Sequence, residues 1–410
     1  YDKQNVEIVM SEITSGEMPL VYNEEFTGKN CPKPALVDDP TTLPSITHLP
    51  DPFLMTDGTT RMTTREQWKC RRAEIKAILE KYDTGIKPDK PDKVSATLSG
   101  NKVNITVTEG SNFITMSATI NYVNGVPSEP VPALIGVSMM SPGHSLPSGE
   151  LSKRGIATIF FDPIQVAAHT GARNTGSFYK LYPDLTSSGN MIRWAWAVSR
   201  LIDALELLPE SKIDLSRLAV SGCSYAGKVA LFAGAFDERI ALTLPHESGG
   251  GGTISWRYSD MLEDRDNTEV ENLHHAQGAE WYASILAKYK PLSVSPNTLP
   301  YDHHELIGMI APRAVLCIES SQIARMGGEA ARIDALAARR IWKALGVADR
   351  MGATEENTGH CTWHNGFTSD LGAYLDKFLL GKEANTDILR SKFTSIDTAK
   401  WIPWETPVLK

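Results

Sequence analysis

Residues 222–228 read Gly-Cys-Ser-Tyr-Ala-Gly-Lys, and this stretch decides the fold of the chain. It follows the apolar run 217–221 and precedes a helix-like segment, 229–235. That order is typical of a strand, a sharp turn and a helix, with Ser224 exposed at the turn. The flanking glycines remove Cβ atoms where a strained backbone and a neighbouring element would clash. The stretch therefore predicts a nucleophile elbow with Ser224 as the reactive residue.

Short apolar runs and helix-like segments alternate on both sides of this turn. The predicted parallel strands are 133–140, 156–161, 218–222, 240–244 and 314–319. The predicted helices among them are 191–208, 329–345 and 369–380. Between 93 and 123 apolar and polar residues tend to alternate, which indicates antiparallel strands with one face in water. This order predicts an α/β-hydrolase fold, a three-layer αβα sandwich with a mixed, largely parallel central sheet.

The first ninety residues differ from the rest, because they are rich in proline and turn signals and hold one predicted helix, over 64–82. We predict that 1–90 wrap around the same domain, that 91–385 form the α/β-hydrolase domain and that 386–410 form a tail packed on it. No internal repeat or interdomain linker is visible.

Composition excludes several classes of partner. The chain of 410 residues has 41 Lys and Arg against 49 Asp and Glu, a net charge of −8. This acidic balance argues against nucleic acid or an anionic membrane as the main partner. No run reaches the ~18 apolar residues of a membrane-spanning helix. No apolar segment follows Tyr1, so we expect a signal peptide to be absent or already removed.

Three residue types expected at one edge of the sheet suggest a catalytic triad. Glu247 follows the predicted strand 240–244, and His360 lies in a glycine-containing loop before the last long helix. A serine hydroxyl becomes a good nucleophile only when an imidazole accepts its proton, and that imidazole needs a carboxylate on its other nitrogen. We expect Ser224, Glu247 and His360 in these roles. Glu319 is the alternative acid, because the acid of an ordinary α/β-hydrolase follows that later strand.

The chain resembles the glucuronoyl esterases of carbohydrate esterase family 15. Their nucleophile motif, Gly-Cys-Ser-Arg-x-Gly-Lys, matches residues 222–228 except at Tyr225. Their Gln-Glu-Ser-Gly-rich acid loop is similar to 246–252, which reads His-Glu-Ser-Gly-Gly-Gly-Gly. Further matching segments are 49–53, 68–75, 194–206, 299–304 and 310–313. The resemblance covers about residues 31–380.

This resemblance implies hydrolysis of the ester between 4-O-methyl-D-glucuronic acid on xylan and lignin alcohols. It implies that Ser224 attacks the uronic acid carbonyl, that His360 transfers the proton and that Glu247 orients His360. It also implies that neither a metal nor an organic cofactor is needed. The strongest candidate metal ligands, at 302–304, are not accompanied by a His-x-x-x-His clamp, so no metal site is expected.

The resemblance also implies residues that bind the sugar. Lys228 corresponds to the lysine that holds sugar hydroxyls, and on a helix starting at the elbow it projects beside Ser224. Glu280 and Trp281 are similar to a sugar-contacting glutamate and its aromatic neighbour. His246, next to Glu247, is a further candidate substrate contact.

Two disulfides are expected. Cys223 and Cys361 neighbour residues that must lie within hydrogen-bond reach, so their Cα atoms are expected within the ~4.4–6.8 Å of a bridge. The same pairing occurs in fungal members of the resembled family, and the resemblance implies Cys31 and Cys70 as the next pair. Cys317 would remain a buried thiol. Disulfides imply an oxidising compartment, so we expect a secreted or periplasmic protein.

Two departures from the family pattern leave alternatives open. Tyr225 replaces the arginine thought to help stabilise the oxyanion, although the backbone N–H of Tyr225 can still contribute to the oxyanion hole. Ile323 stands near the place of a sugar-contacting tryptophan. The alternatives are a feruloyl or acetylxylan esterase, or a carbohydrate-binding pseudoenzyme. The expected partner is glucuronoxylan or a lignin–carbohydrate ester, and the expected state is a monomer.

Overall fold

A computed structural model describes residues 18–139, 144–170, 172–275 and 280–410. In these ranges the strands, in chain order, are β1 (Lys93–Ser99), β2 (Lys102–Glu109), β3 (Asn112–Asn121), β4 (Val131–Val137), β5 (Ala157–Phe161), β6 (Ile213–Cys223), β7 (Leu242–His246), β8 (Ala314–Ser320) and β9 (Met351–Glu356). The α-helices there are α1 (Gln67–Tyr82), α2 (Ser148–Ser152), α3 (Phe178–Leu181), α4 (Asn190–Glu206), α5 (Tyr225–Phe236), α6 (Trp256–Asp266), α7 (His303–Gly308), α8 (Gly328–Ala344), α9 (Thr368–Leu380) and α10 (Thr398–Trp401).

All these strands form one mixed sheet in the order β1-β2-β3-β5-β4-β6-β7-β8-β9. The pairs β1–β2, β2–β3 and β3–β5 are antiparallel, as the alternating pattern of 93–123 predicts. From β5 to β9 every neighbouring pair is parallel. The carboxyl ends of β6, β7, β8 and β9 therefore meet at one edge of the sheet, where α/β proteins place their reactive groups.

Helices cover both faces of the parallel part. Side chains alternate across a strand, so Ile135 of β4 joins the apolar cluster with α4, α5 and α8, while Leu134 joins the cluster with α9. Burial on both faces explains why these strands read as continuous apolar runs. The arrangement is the predicted three-layer α/β-hydrolase fold.

Both ends of the described chain pack against this core. The indole of Trp68 in α1 donates to the carbonyl of Ala311 at 3.0 Å, and that of Trp404 donates to the carbonyl of Leu49 at 2.9 Å. Domain boundaries at 90 and 385 stay a prediction. Within the described ranges, no helix combines the length and apolar character needed to cross a membrane.

Candidate active site

The nucleophile elbow lies where β6 ends and α5 begins. Ser224 has φ 59° and ψ −121°, an unusual conformation for a residue with a side chain. Such conformations cost about 1–3 kcal/mol and persist where the surroundings hold them. Here the N–H of Ser224 donates to the carbonyl of His246 at 2.9 Å, and its own carbonyl accepts the N–H of Lys228 at 3.0 Å. These bonds hold the elbow between the end of β7 and the first turn of α5.

The flanking glycines are needed because the backbone approaches closely. A Cβ on Gly222 would lie 2.4 Å from the carbonyl oxygen of Ala226. One on Gly227 would lie 2.6 Å from the carbonyl oxygen of His246 in β7. Larger residues would push the helix off the strands, so the glycine spacing fixes the site's geometry.

Glu247 and His360 meet at the same edge of the sheet. Glu247 directly follows β7, and His360 lies in the loop between β9 and α9. His360 Nδ1 is 2.6 Å from Glu247 Oε2, and the N–H of Cys361 donates to Oε1 at 3.2 Å. The backbone of Glu247 has a positive φ of 42°, and its N–H donates to the carbonyl of Ile318 in β8 at 2.8 Å. The strand ends here, and the carboxylate turns towards the histidine loop.

A disulfide joins Cys223 to Cys361, with 5.8 Å between their Cα atoms, as expected. Each cysteine is the chain neighbour of a candidate catalytic residue. The bridge therefore ties the backbone of Ser224 to that of His360. The second expected bridge, Cys31 to Cys70, is also present.

The two candidate acids differ in charge as well as in position. Burial raises the pKa of Glu247, but donors from His246 and His360 outweigh it, and the pKa lies below the ordinary value. Burial, assisted by the nearby Glu247 carboxylate, raises the pKa of Glu319 to about 8. Glu319 accepts a hydrogen bond from the hydroxyl of Thr253 at 2.6 Å. At neutral pH, Glu247 is thus the ionised carboxylate and Glu319 is largely neutral.

Lys228 lies beside the elbow, almost fully buried. Its ammonium group is 2.5 Å from the carbonyl oxygen of Ser248 and 3.2 Å from Glu271 Oε2. Burial lowers the pKa of Lys228, and the Glu271 carboxylate opposes this effect. Glu271 also accepts the N–H of Gly250 at 2.9 Å. Sequence reasoning missed Glu271, because no motif marks a single carboxylate in an acidic stretch.

Aromatic rings form the wall of the small pocket that Lys228 lines. The rings of Tyr225 and Trp281 are 4.7 Å apart, and those of Tyr225 and His169 are 4.8 Å apart. The indole N–H of Trp281 donates to the carbonyl of His169 at 2.9 Å. Burial lowers the pKa values of His169 and Arg173, and the carboxylate of the half-buried Glu280 opposes this effect. Tyr225, Lys228 and Trp281 thus line one pocket, and Glu280 directly precedes Trp281 in the chain.

His246 lies inside the protein beside Glu247. Its side chain is fully buried, with its two ring nitrogens directed at Ser145 and Glu247. The expected contact of His246 with the substrate stays a prediction.

The residues at 302–304 have structural partners. Asp302 binds the guanidinium of Arg257 at 3.2 Å and caps α7. His303 lies 2.6 Å from the carbonyl oxygen of Gly252, and His304 lies 2.9 Å from that of Pro50.

Comparisons with known proteins agree with this geometry. The sequence model described as glucuronyl esterase, fungi, matches residues 105–346. A 4-O-methyl-glucuronoyl methylesterase of Hypocrea jecorina is 39% identical over 372 residues, which are 90% of this chain and 77% of the relative. One of Phanerochaete carnosa is 36% identical over 96% of this chain and 95% of the relative.

Solved structures show the same similarity. The glucuronoyl esterase catalytic domain from Hypocrea jecorina has a TM-score of 0.83 and 38% identity, over 92% of this chain and all of that one. A mutant glucuronoyl esterase from Sporotrichum thermophile, in complex with methyl 4-O-methyl-β-D-glucopyranuronate, has a TM-score of 0.83 and 35% identity, over 93% and 100% of the two chains. The protein described here belongs to the fungal glucuronyl esterase family and is a carboxylic ester hydrolase of the α/β-hydrolase fold.

Proposed function

We propose that this chain hydrolyses esters of D-glucuronic or 4-O-methyl-D-glucuronic acid, such as lignin–carbohydrate esters of glucuronoxylan, through a Ser224-His360-Glu247 triad. One observation carries the proposal. A buried, ionised carboxylate lies 2.6 Å from the imidazole of His360, and a disulfide ties that histidine to the nucleophile elbow. The relative bound to a methyl glucuronate ester supports the substrate class.

In the first half-reaction, His360 Nε2 accepts the proton of Ser224 while Oγ attacks the ester carbonyl. Glu247 holds the proton on His360 Nδ1, which leaves Nε2 free as a base, and it stabilises the imidazolium that forms. The tetrahedral intermediate collapses, and His360 gives its proton to the leaving alcohol. Water then attacks the acyl-enzyme by the same route, which returns Ser224 and releases the uronic acid.

The oxyanion needs donors aimed at the place where charge develops. The backbone N–H of Tyr225 occupies the position that the elbow geometry assigns to such a donor, at the start of the twelve-residue helix α5. The positive end of the helix dipole adds to this stabilisation. The phenol ring of Tyr225 packs against Trp281 and His169, so we assign the oxyanion role to the backbone and the wall role to the ring.

The pocket favours a hydroxyl-rich acyl group. Lys228 and Glu271 place a charged donor and a charged acceptor beside the rings of Tyr225 and Trp281. A sugar offers hydroxyls to both charges and an apolar face to the rings. An aromatic acid would leave the buried charges without new partners, which disfavours the feruloyl esterase alternative.

We also propose a secreted monomer. Disulfides persist in oxidising compartments, and this chain has two. Reducing and nonreducing electrophoresis of culture medium, with size-exclusion chromatography, would test both parts.

The decisive experiment compares hydrolysis of benzyl glucuronate, benzyl galacturonate and methyl ferulate by the wild type and by Ser224→Ala. We expect benzyl glucuronate to be cleaved fastest and Ser224→Ala to be inactive on it. Preference for methyl ferulate would refute the substrate class. A wild type inactive on every ester, including an activated acetate, would favour the carbohydrate-binding pseudoenzyme.

A further inference from the structure

A second histidine lies against the candidate triad carboxylate. His246 is the last residue of β7 and precedes Glu247 in the chain. Its Nε2 is 3.4 Å from Glu247 Oε1, whereas His360 contacts Oε2, and its Nδ1 is 2.5 Å from the hydroxyl oxygen of Ser145. Both ring nitrogens thus face polar groups, although the ring is fully buried.

Chemistry decides which nitrogen carries the hydrogen. A neutral imidazole has one donor and one acceptor nitrogen, and an ionised carboxylate can only accept. If Nδ1 carried the hydrogen, the lone pair of Nε2 would face the Glu247 carboxylate in a buried site. The opposite tautomer puts no lone pair against the carboxylate, because the Ser145 hydroxyl donates to Nδ1 and the Nε2–H lies 3.4 Å from Glu247 Oε1, in a contact without hydrogen-bond alignment.

Aromatic residues hold the His246 ring in this position. Trp363 and Phe367 lie edge-on to it, with ring centroids 6.1 and 6.0 Å away and interplanar angles of 83° and 76°. Both residues belong to the segment that follows His360. The segment that carries the base therefore also holds the second histidine.

We propose that His246 is a positioning residue for Glu247, in a chain of polar contacts that runs from Ser145 through His246 and Glu247 to His360. The inference rests on the proposed function, because it assigns Glu247 as the triad acid. Glu247 accepts N–H groups from His360 Nδ1 and from the backbone of Cys361, and the Nε2–H of His246 lies 3.4 Å from Oε1 without the alignment of a hydrogen bond. The contact with the His246 ring limits rotation of the carboxylate about its last bond and keeps Oε2 directed at His360.

This arrangement also affects the acid side of the pH profile. The titratable groups that face Glu247 are His246 before it in the chain, His360 from the loop after β9 and Glu319 from β8. Contacts with His246 and His360 lower the pKa of Glu247. Loss of the His246 donor would therefore raise that pKa, and the carboxylate would take up a proton at a higher pH.

Three variants test the proposal: His246→Phe removes the donor, His246→Gln keeps an N–H at a similar reach and cannot titrate, and Ser145→Ala removes only the partner that fixes the tautomer. For His246→Phe we expect kcat to fall about tenfold at unchanged KM, and the acidic limb of kcat/KM to rise by about one pH unit. His246→Gln should restore kcat to within about threefold of the wild type, because it again donates to the carboxylate. Ser145→Ala, a partly exposed change with little effect on folding, should give a smaller shift in the same direction.

Activity is measured on benzyl glucuronate and on 4-nitrophenyl acetate, with thermal unfolding of each variant as a folding check. Equal losses for folded His246→Phe and His246→Gln, with an unmoved acidic limb, would overturn the proposal and leave His246 a packing role. An unmoved limb in Ser145→Ala would overturn it even if His246→Phe does not fold.

The downfield proton NMR signal of His360 Nδ1–H gives a readout without turnover. We expect it to move in His246→Phe and to return in His246→Gln. If the wild type cleaves only another kind of ester, the proposed substrate class is wrong. The role of His246 can then still be tested with 4-nitrophenyl acetate and with this NMR signal.

Discussion

Replacement of Glu247 by glutamine tests most directly which carboxylate orients His360. The amide has the shape of the carboxylate, so the N–H of Cys361, 3.2 Å from Oε1, keeps an acceptor if the amide oxygen takes that place. The NH₂ group then faces His360 Nδ1, where Oε2 lay at 2.6 Å. Because NH₂ donates, Nδ1 must accept, and the hydrogen of the neutral ring moves to Nε2. Nε2 then has no lone pair for the proton of Ser224.

We expect kcat on benzyl glucuronate to fall by about 10²–10⁴ with little change in KM, as for loss of an acid that acts on the tautomer and on transition-state charge. This corresponds to about 2.7–5.4 kcal/mol of activation free energy. Glu319→Gln is the matched control. Its amide oxygen can still accept from Thr253, and it replaces a carboxyl with a pKa of about 8, already largely neutral at pH 7. We expect a loss of less than about threefold.

Both variants are assayed at pH 7 by steady-state kinetics after their folding has been checked by circular dichroism. A near-normal kcat for Glu247→Gln, together with a large loss of kcat in Glu319→Gln, would refute the assignment of Glu247 as the triad acid. The esterase assignment would survive that result.

Three further predictions concern recognition, stability and pH. Lys228→Ala should lower kcat/KM on benzyl glucuronate by about 10- to 150-fold, the effect of a lost charged hydrogen bond, and should barely change 4-nitrophenyl acetate hydrolysis; equal losses on both would place Lys228 in structure or catalysis. Replacing Cys223 and Cys361 by serine should lower the free energy of unfolding in urea by up to about 5 kcal/mol, because the bridge closes a loop with a sequence separation of 138; unchanged stability would contradict this. Glu319 binds a proton more tightly in the folded state, so its contribution to stability falls as pH rises from about 4.5 to about 8. Between pH 5 and 8 the free energy of unfolding should therefore fall less in Glu319→Gln than in the wild type, and the two decreases should differ by more than about 1 kcal/mol. Equal decreases in the two proteins would contradict this prediction.

Strands buried on both faces could be predicted from the sequence, because burial leaves an uninterrupted apolar run. The run 314–319 corresponds to β8 (Ala314–Ser320). Strand β9 (Met351–Glu356) was missed, because Gly, Thr and two Glu residues interrupt its apolar pattern. The start of β6 at Ile213 was missed for a related reason, since Asp214 and Ser216 look like turn residues although they lie in a partly exposed part of the strand.

In the site, motifs predicted the groups that chemistry fixes in type and spacing, such as the elbow and the disulfide beside it. They did not predict the direction of side chains. His246 and Glu247 are neighbours at a strand end, and the positive φ of Glu247 turns its carboxylate towards His360 while the His246 ring remains below the sheet edge. A sequence does not reveal this turn, because glycine is the residue that normally marks a positive φ.

Because of the bridge between Cys223 and Cys361, we expect the activity of the site to depend on whether the chain folds in an oxidising or a reducing compartment. In a reducing cytosol the thiols stay apart, and the loop that carries His360 is held only by noncovalent contacts. In an oxidising compartment, oxidation closes the link that we propose sets the base beside the nucleophile. We expect protein made in a reducing host to gain specific activity when it is oxidised in vitro, so the oxidation state of a preparation belongs among the quantities that are controlled when its kinetics are compared.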